Sequence, residues 1–150
     1  MIDQPPNVAL HDSARRFDID LLVIQPAWSP AKVTEGFGLE PTHAHGVGDD
    51  RTTPAGGTLA GAYRDTRRRH AHRYEIEEQG FALEVESFVE ALEPRRAFLD
   101  ELRSTGGRAS LILCFLGDGY LGDDLSSELL KRMVDLGLTL GIECFAARQT

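Results

Sequence analysis

Cysteine and long apolar runs are scarce in this chain, and their scarcity excludes several classes of protein. The 150 residues hold two cysteines, Cys114 and Cys144, and no Cys-x-x-Cys pair, so neither a zinc knuckle nor a thioredoxin-type site is indicated. No segment approaches the roughly 18 apolar residues of a membrane helix. Residues 1–10 lack the apolar core of a signal peptide. We therefore predict a cytoplasmic protein without membrane contact. Both thiols are expected to be buried and reduced, and a disulfide bridge between neighbouring strands is the alternative.

Positive charge is also in the minority. Lys and Arg number 16 against 24 Asp and Glu, which gives a net charge of -8 at pH 7 and a pI near 5.0. Because binding to phosphates needs clustered positive charge, this balance disfavours a broad nucleic-acid surface. The local exception consists of Arg64, Arg67, Arg68, Arg69 and Arg73. We interpret this cluster as a solvated loop balanced by Glu75, Glu77 and Glu78; a contact with phosphate or with an acidic partner is the alternative.

Known catalytic motifs are missing as well. The chain contains no Gly-x-Ser-x-Gly elbow, no Walker loop and no His-Glu-x-x-His. Since no glycine-rich turn follows the first predicted strand, a dinucleotide-binding unit is not supported either. The sequence therefore disfavours an enzyme, although catalytic triads can assemble from residues at distant positions.

The N-terminal half shows one clear strand and one clear helix. Apolar residues alternate and then run together from Phe17 to Ile24, which predicts a strand that becomes buried on both faces. Ser29-Pro30 has the form of an N-cap followed by proline at the first helical position, and Gly38 is a natural stop for that helix. Residues 40–69 show no sustained period and predict a long irregular loop, apart from a short extended piece at Thr58–Tyr63.

Helices and strands alternate beyond this loop. The predicted elements are a strand near a sheet edge at Ala71–Glu78, an amphipathic helix through Val85 and Leu92, a second helix through Phe98 and Leu102 after a break at Pro94, a strand at Leu111–Leu116, a helix from Leu125 to Val134 capped by Asp124, and a strand at Leu138–Ala146. Because Leu111–Leu116 is almost wholly apolar, we expect it at the centre of the sheet.

The order of these elements predicts an α+β fold. We expect a single sheet of about four or five strands, with helices packed mainly on one face. Residues 15–150 form this one domain in the prediction, after a flexible lead-in of residues 1–14.

Several sequence features stand in a characteristic order along the chain. They are Ser29-Pro30 opening a short helix after the first strand, Gly38-Leu39-Glu40-Pro41 at the end of that helix, Gly48-Asp49 in the irregular loop, and the run L-x-x-E-L-L-x-x-M-V-D-L-G-L-x-L from Leu125 to Leu140. Over most of the chain this order resembles the bacterial family known as domain of unknown function 4279. The resemblance implies a small bacterial protein with no assigned activity, cofactor or catalytic residue, similar to immunity or regulatory partners. Where such proteins tend to carry a tryptophan in the second strand, this chain has Tyr74.

The histidines form a candidate metal site. Four of the five lie in two copies of His-Ala-His, at His43/His45 and His70/His72. On an extended segment, the i, i+2 spacing points both imidazoles of a pair to one side, as paired metal ligands require. Asp49 and Asp50 follow the first pair closely, and either could add a carboxylate to an N/O site for zinc or another divalent metal. Alternatively, these are exposed histidines in polar, arginine-rich surroundings.

A second candidate site is the loop Asp118–Asp124, because α/β proteins often place sites at the end of a buried strand. Asp118, Tyr120 and Asp123 could hold a cation or a polar ligand, although their spacing does not match an EF-hand. A tight turn, with Asp124 as helix cap and Asp123 against the helix dipole, explains the same residues without a ligand.

Two functions of different class follow from these observations. The first is a non-enzymatic protein-binding or regulatory module of the immunity type, with a protein partner and no cofactor; the small size, the net charge of -8 and the missing catalytic motifs favour it. The second is a protein that binds zinc or another divalent metal, or a metal-dependent hydrolase, using both His-Ala-His segments. In addition, the edge strand at Ala71–Glu78 suggests a homodimer.

Overall fold

In this computed structural model of the chain, residues 15–76, 80–117 and 121–145 are described. The strands in these ranges are β1 (Arg15–Gln25), β2 (His43–His45), β3 (Asp50–Thr52), β4 (Thr58–Ala62), β5 (Thr66–Ile76), β6 (Arg108–Leu116) and β7 (Leu138–Phe145). The helices are α1 (Pro30–Phe37), α2 (Ala82–Leu92), α3 (Arg96–Ser104) and α4 (Ser127–Asp135), with a 3-10 turn at Glu93–Arg95. The predicted α+β fold is confirmed. The predicted lead-in of residues 1–14 lies outside the described ranges.

Five of the strands form one mixed sheet in the order β2-β5-β1-β6-β7, while β3 and β4 form a separate antiparallel hairpin. β1 pairs antiparallel with both β5 and β6, and β7 runs parallel to β6. The expectation that Leu111–Leu116 lies at the centre was therefore wrong by one position. That segment belongs to β6, whereas the central strand of the five is β1.

The two faces of the sheet differ because alternate residues of a strand point to opposite sides. Phe17, Ile19, Leu21 and Val23 of β1 are fully buried, and they share one core cluster with the buried side chains of all four helices. We call this side the helix face. The opposite side carries Asp18 and Asp20, and no described helix contributes a buried side chain to it; we call it the open face.

The first helix forms as predicted. Ser29 Oγ accepts the N–H of Lys32 at 3.3 Å, Pro30 occupies the first helical position, and Gly38 ends the helix with a φ of 68°. A residue with a side chain rarely adopts this left-handed conformation, which explains the glycine. Pro94 also separates two helices as predicted, within the 3-10 turn between α2 and α3.

Residues 40–69 are more regular than predicted. β2, β3, β4 and the start of β5 lie in this stretch, and the short extended piece at Thr58–Tyr63 is confirmed as β4. The side chains of β2 to β4 are mostly exposed, so these strands carry no hydrophobic period. Backbone pairing with neighbouring strands defines them instead. The predicted strand at Ala71–Glu78 begins earlier, at Thr66, and its last two residues lie outside the described ranges.

Two details at the C-terminal end correct the predictions. α4 is capped by Ser126, whose Oγ accepts the N–H of Leu129 at 3.1 Å, and not by Asp124, because the helix starts later than its apolar pattern. Cys144 is exposed on the edge strand β7, whereas Cys114 is buried as expected. The register pairs Phe115 with Cys144, so the two thiols point to opposite faces and form no bridge. None of the described helices has both the length and the apolar character needed to cross a membrane.

Candidate functional site

The two His-Ala-His segments lie on adjacent strands but on opposite faces of the sheet. His43 and His45 of β2 stand opposite Arg69 and Arg67 of β5. His70 and His72 occupy the alternate positions of β5, opposite the buried residues of β1, and therefore point to the helix face. The structure thus does not bring the two pairs together. In the described part of the chain, no three His, Cys, Asp or Glu side chains are grouped in a way that could hold a metal ion.

His45 and Asp49 make structural contacts. The His45 ring stacks on Tyr63 with centroids 3.6 Å apart and planes 7° apart. Burial lowers the pKa of His45, so its ring stays neutral beside the tyrosine. Asp49 Oδ2 accepts the N–H of Gly46 at 2.7 Å. These contacts attach the β3–β4 hairpin to the end of β2.

The acidic loop is described only from Leu121 onward, so Asp118 and Tyr120 lie outside the described residues. Asp123 Oδ2 accepts the N–H of Ala82, and Asp123 Oδ1 accepts the N–H of Asp124, both at 2.8 Å. These two donors lower the pKa of Asp123. Asp123 therefore satisfies a free N–H group at the start of α2, a helix distant in sequence, which sequence spacing could not indicate.

Four arginines of the cluster, Arg67, Arg68, Arg69 and Arg73, lie in β5 and not in the solvated loop that we predicted, whereas Arg64 precedes the strand. Alternation along the strand sends its members to different faces. The ion pairs on the open-face side are Arg67–Asp65, Arg69–Asp20 and Arg73–Asp18, with N···O distances of 3.2, 3.3 and 2.8 Å. Arg68 points to the helix face and is fully buried. The downstream carboxylate Glu75 lies 4.0 Å from Arg16, while Glu77 and Glu78 lie outside the described residues.

A buried polar cluster on the open face escaped sequence reasoning, because its members come from separate strands. Asp20 is 3% exposed, and Cys114 Sγ lies 3.3 Å from Glu143 Oε2 and 4.0 Å from Asp20 Oδ2. Burial raises the pKa of Asp20, an effect that Arg69 opposes. Burial and the hydrogen bond to Glu143 raise the pKa of Cys114 to about 12. The thiol therefore stays protonated and is a poor nucleophile.

An apolar groove opens on the helix face beside β5. It has a volume of about 250 Å³ and lies between β5, the end of α1 and α2. Its lining comprises Phe37, Leu39, His70, His72, Tyr74, Ser87, Phe88, Ala91 and Leu92. We call it the α2 groove. Small clefts lined by apolar and aromatic groups, with a few convergent polar atoms, are the usual form of a binding site.

Two polar side chains of the groove, His70 and Tyr74, have defined contacts. His70 Nδ1 lies 2.6 Å from the carbonyl oxygen of Glu40, and because a carbonyl only accepts, this nitrogen carries the proton. In the neutral ring, Nε2 is then an acceptor. Tyr74 stacks on Phe17 with centroids 4.9 Å apart, and burial raises the pKa of its hydroxyl. The groove therefore offers the His70 imidazole and the Tyr74 hydroxyl as hydrogen-bonding groups in an apolar setting.

The strand that forms one wall of this groove is also an open edge. β2 covers only Arg67–Arg69 of β5, so His70–Ile76 has no strand on its outer side among the described residues. We call this segment the β5 edge. The carbonyl of Arg69 accepts the N–H of Thr42 at 2.8 Å, so the backbone groups of Arg69 point outward from β1. Since backbone groups alternate along a strand, the N–H and C=O of Ala71, Arg73 and Glu75 also point outward.

Fold and site together define a mixed-sheet α+β protein whose open edge runs beside an apolar groove. The profile of the family described as domain of unknown function (DUF4279) matches residues 16–145 of the 150-residue chain. The chain therefore belongs to this family, which confirms the resemblance in its sequence. No curated protein and no solved structure matches the chain.

Proposed function

We propose that this chain is a non-enzymatic protein-binding module that takes up an extended segment of a protein partner along the β5 edge. The observation that carries the proposal is the coincidence of outward backbone groups at Ala71, Arg73 and Glu75 with the α2 groove directly beside them. An added strand gains main-chain hydrogen bonds from such an edge, while adjacent pockets select its alternate side chains.

The two faces of the sheet set the chemistry of the bound segment. Side chains that point to the helix face would enter the α2 groove, between Tyr74 and Phe88, so they should be apolar or aromatic. Side chains that point to the open face would lie beside Arg73, whose guanidinium is exposed although it pairs with Asp18. An acidic residue is favoured there. The expected ligand therefore alternates apolar and acidic residues.

A regulatory or immunity-type role in the cytoplasm is the setting that we propose for this binding. A protein that acts by capture needs no activated nucleophile, and Cys114, with its pKa raised to about 12, is not one. Both thiols are free, which fits a reducing compartment.

The test is a selection of random phage-displayed peptides on the immobilised full chain. Enriched peptides are synthesised with a fluorophore and titrated by fluorescence anisotropy. We expect sequences that alternate apolar and acidic residues. Ala71→Pro removes one outward N–H group and no bond to β1, so it should weaken binding by roughly tenfold. Ala71→Ser keeps the N–H group and is the matched control. Ala91→Trp, which fills the groove from its exposed rim, should also weaken binding.

Circular dichroism must first show that each variant is folded. The proposal is wrong if no peptide is enriched, or if the selected peptides bind the folded Ala71→Pro and Ala91→Trp variants as tightly as the wild type.

A further inference from the structure

The opposite edge of the sheet, β7, is long and apolar. Its 8 residues, Leu138–Phe145, contain one charged side chain, Glu143, and neither lysine nor proline. Exposed edges in proteins are ordinarily protected by such residues or by bulges. Six large hydrophobic side chains are exposed in the described part of the chain, and four of them, Leu130, Val134, Ile142 and Phe145, belong to α4 and β7.

The outer edge of β7 has backbone groups available for pairing with another strand. β7 is the terminal strand of the sheet, with β6 on its inner side and no described strand on its outer side. Along each strand, the N–H and C=O groups of successive residues point alternately to one neighbouring strand and to the other. The registers between β5 and β1, β1 and β6, and β6 and β7 relate this alternation in β5 to that in β7. Following this alternation, the N–H and C=O groups of Leu138, Leu140 and Ile142 point outward.

The sequence of β7 is complementary to itself in one antiparallel register. With a two-fold axis at Gly141, Leu140 of one copy stands opposite Ile142 of the other, and Thr139 stands opposite Glu143. Apolar side chains then meet apolar side chains, and no like charges are opposed. Cross-strand pairs of this kind stabilise antiparallel sheets.

We propose that β7 pairs antiparallel with β7 of a second copy of this chain, about a two-fold axis at Gly141. The two five-stranded sheets then become one continuous sheet, with a β5 edge at each far end. Each copy keeps its α2 groove accessible. This dimer uses the opposite edge from Ala71–Glu78, where the sequence suggested one, and it does not rest on the proposed function.

The dimer should be weak. One pair of strands with a few apolar side chains falls at the low end of protein interfaces, because stable ones bury about 1,200–2,000 Å². We therefore expect a dissociation constant on the order of 10 to 100 µM.

The test is sedimentation velocity of the full chain over a range of concentrations. Ile142→Lys places an ammonium group in the interface and should weaken the dimer about tenfold or more. Leu83→Lys is the matched control, because Leu83 on α2 is as exposed as Ile142, at 64%. Two variants test the register. Thr139→Glu opposes Glu143 of the second copy twice and should weaken the dimer roughly 2- to 30-fold, while Thr139→Lys should tighten it.

Three outcomes would overturn the proposal. The first is a monomer at every concentration. The second is an association that Ile142→Lys leaves unchanged, and in particular one that Ala71→Pro weakens, since this would place the contact at the β5 edge. The third is an equal effect of the two Thr139 variants, which would exclude the axis at Gly141.

Discussion

Arg68 offers the sharpest test of the packing on the helix face. Its side chain is fully buried in the core, and its Nε donates to Thr34 Oγ1 at 2.9 Å. Nη1 and Nη2 are buried and find no hydrogen-bond partner among the described residues. Burial disfavours the charged form of the guanidinium and so lowers its pKa, an effect that Glu40 opposes. Replacing Arg68 with an apolar side chain of similar length should therefore stabilise the protein.

The expected gain for Arg68→Met follows from the desolvation of the unpartnered groups. Replacing buried charged groups with well-packed apolar side chains stabilises proteins by about 1–4 kcal/mol in favourable cases. The substitution leaves no new unsatisfied group, because the Thr34 hydroxyl still donates to the carbonyl of Pro30 at 3.1 Å. We expect the free energy of unfolding to rise by about 1–3 kcal/mol, which corresponds to a Tm higher by roughly 2–4 °C for each kcal/mol.

Urea denaturation at neutral pH, followed by circular dichroism, measures this change. Arg67→Met is the matched control, because the neighbouring Arg67 side chain is 52% exposed and forms an ion pair with Asp65. The control should stay within about 0.5 kcal/mol of the wild type. If Arg68→Met instead lowered the free energy of unfolding by more than about 1 kcal/mol, the buried guanidinium would have to be satisfied by another group, and the reasoning would be refuted.

Three further predictions concern the buried and capping groups. Because the pKa of Asp20 is raised in the folded state, the wild type loses stability as pH rises from 3.8 through that raised pKa. The stability of Asp20→Asn relative to the wild type should therefore increase as pH rises, and urea midpoints at several pH values measure this difference. Asp123→Ala should lower the Tm at pH 7, because it removes the hydrogen bond from the N–H of Ala82 at the start of α2. Since the pKa of Asp123 is lowered in the folded state, the difference in Tm between this variant and the wild type should fade as pH drops below 3.8; Asp124→Ala is the control. A thiol reagent should label Cys144 in the native protein and Cys114 only after unfolding, and rapid native labelling of both would contradict the burial of Cys114.

Hydrophobic periodicity was sufficient to predict the long elements. The alternation from Phe17 onward and the capping signals of α1 led directly to β1 and α1. The short strands β2, β3 and β4 could not be predicted in this way, because their side chains are mostly exposed and only long-range backbone pairing defines them. The same limit applied to the order of strands. β1 and β6 are both strongly apolar, and nothing local decides which of them lies at the centre.

The candidate site shows a similar division. Strand alternation correctly placed the two imidazoles of each His-Ala-His segment on one face. Whether the two pairs meet depends on the register between β2 and β5, which sets His43 opposite Arg69 and so separates the pairs. The edge position of this part of β5 was predicted, but the α2 groove was beyond local reasoning, because it joins residues of β5 to residues of α2. The aromatic side chains of Phe88 and Tyr74 are signals in the sequence for this groove.

Hydrogen exchange of the β5 backbone amides, followed by NMR with and without a selected peptide, tests the proposed binding mode most directly. The amides of His70 and His72 point to β1 and should exchange slowly in both states. The amides of Ala71 and Arg73 should exchange rapidly in the free protein and become protected in the complex. Peptide binding that leaves these two amides unprotected would contradict strand addition at the β5 edge.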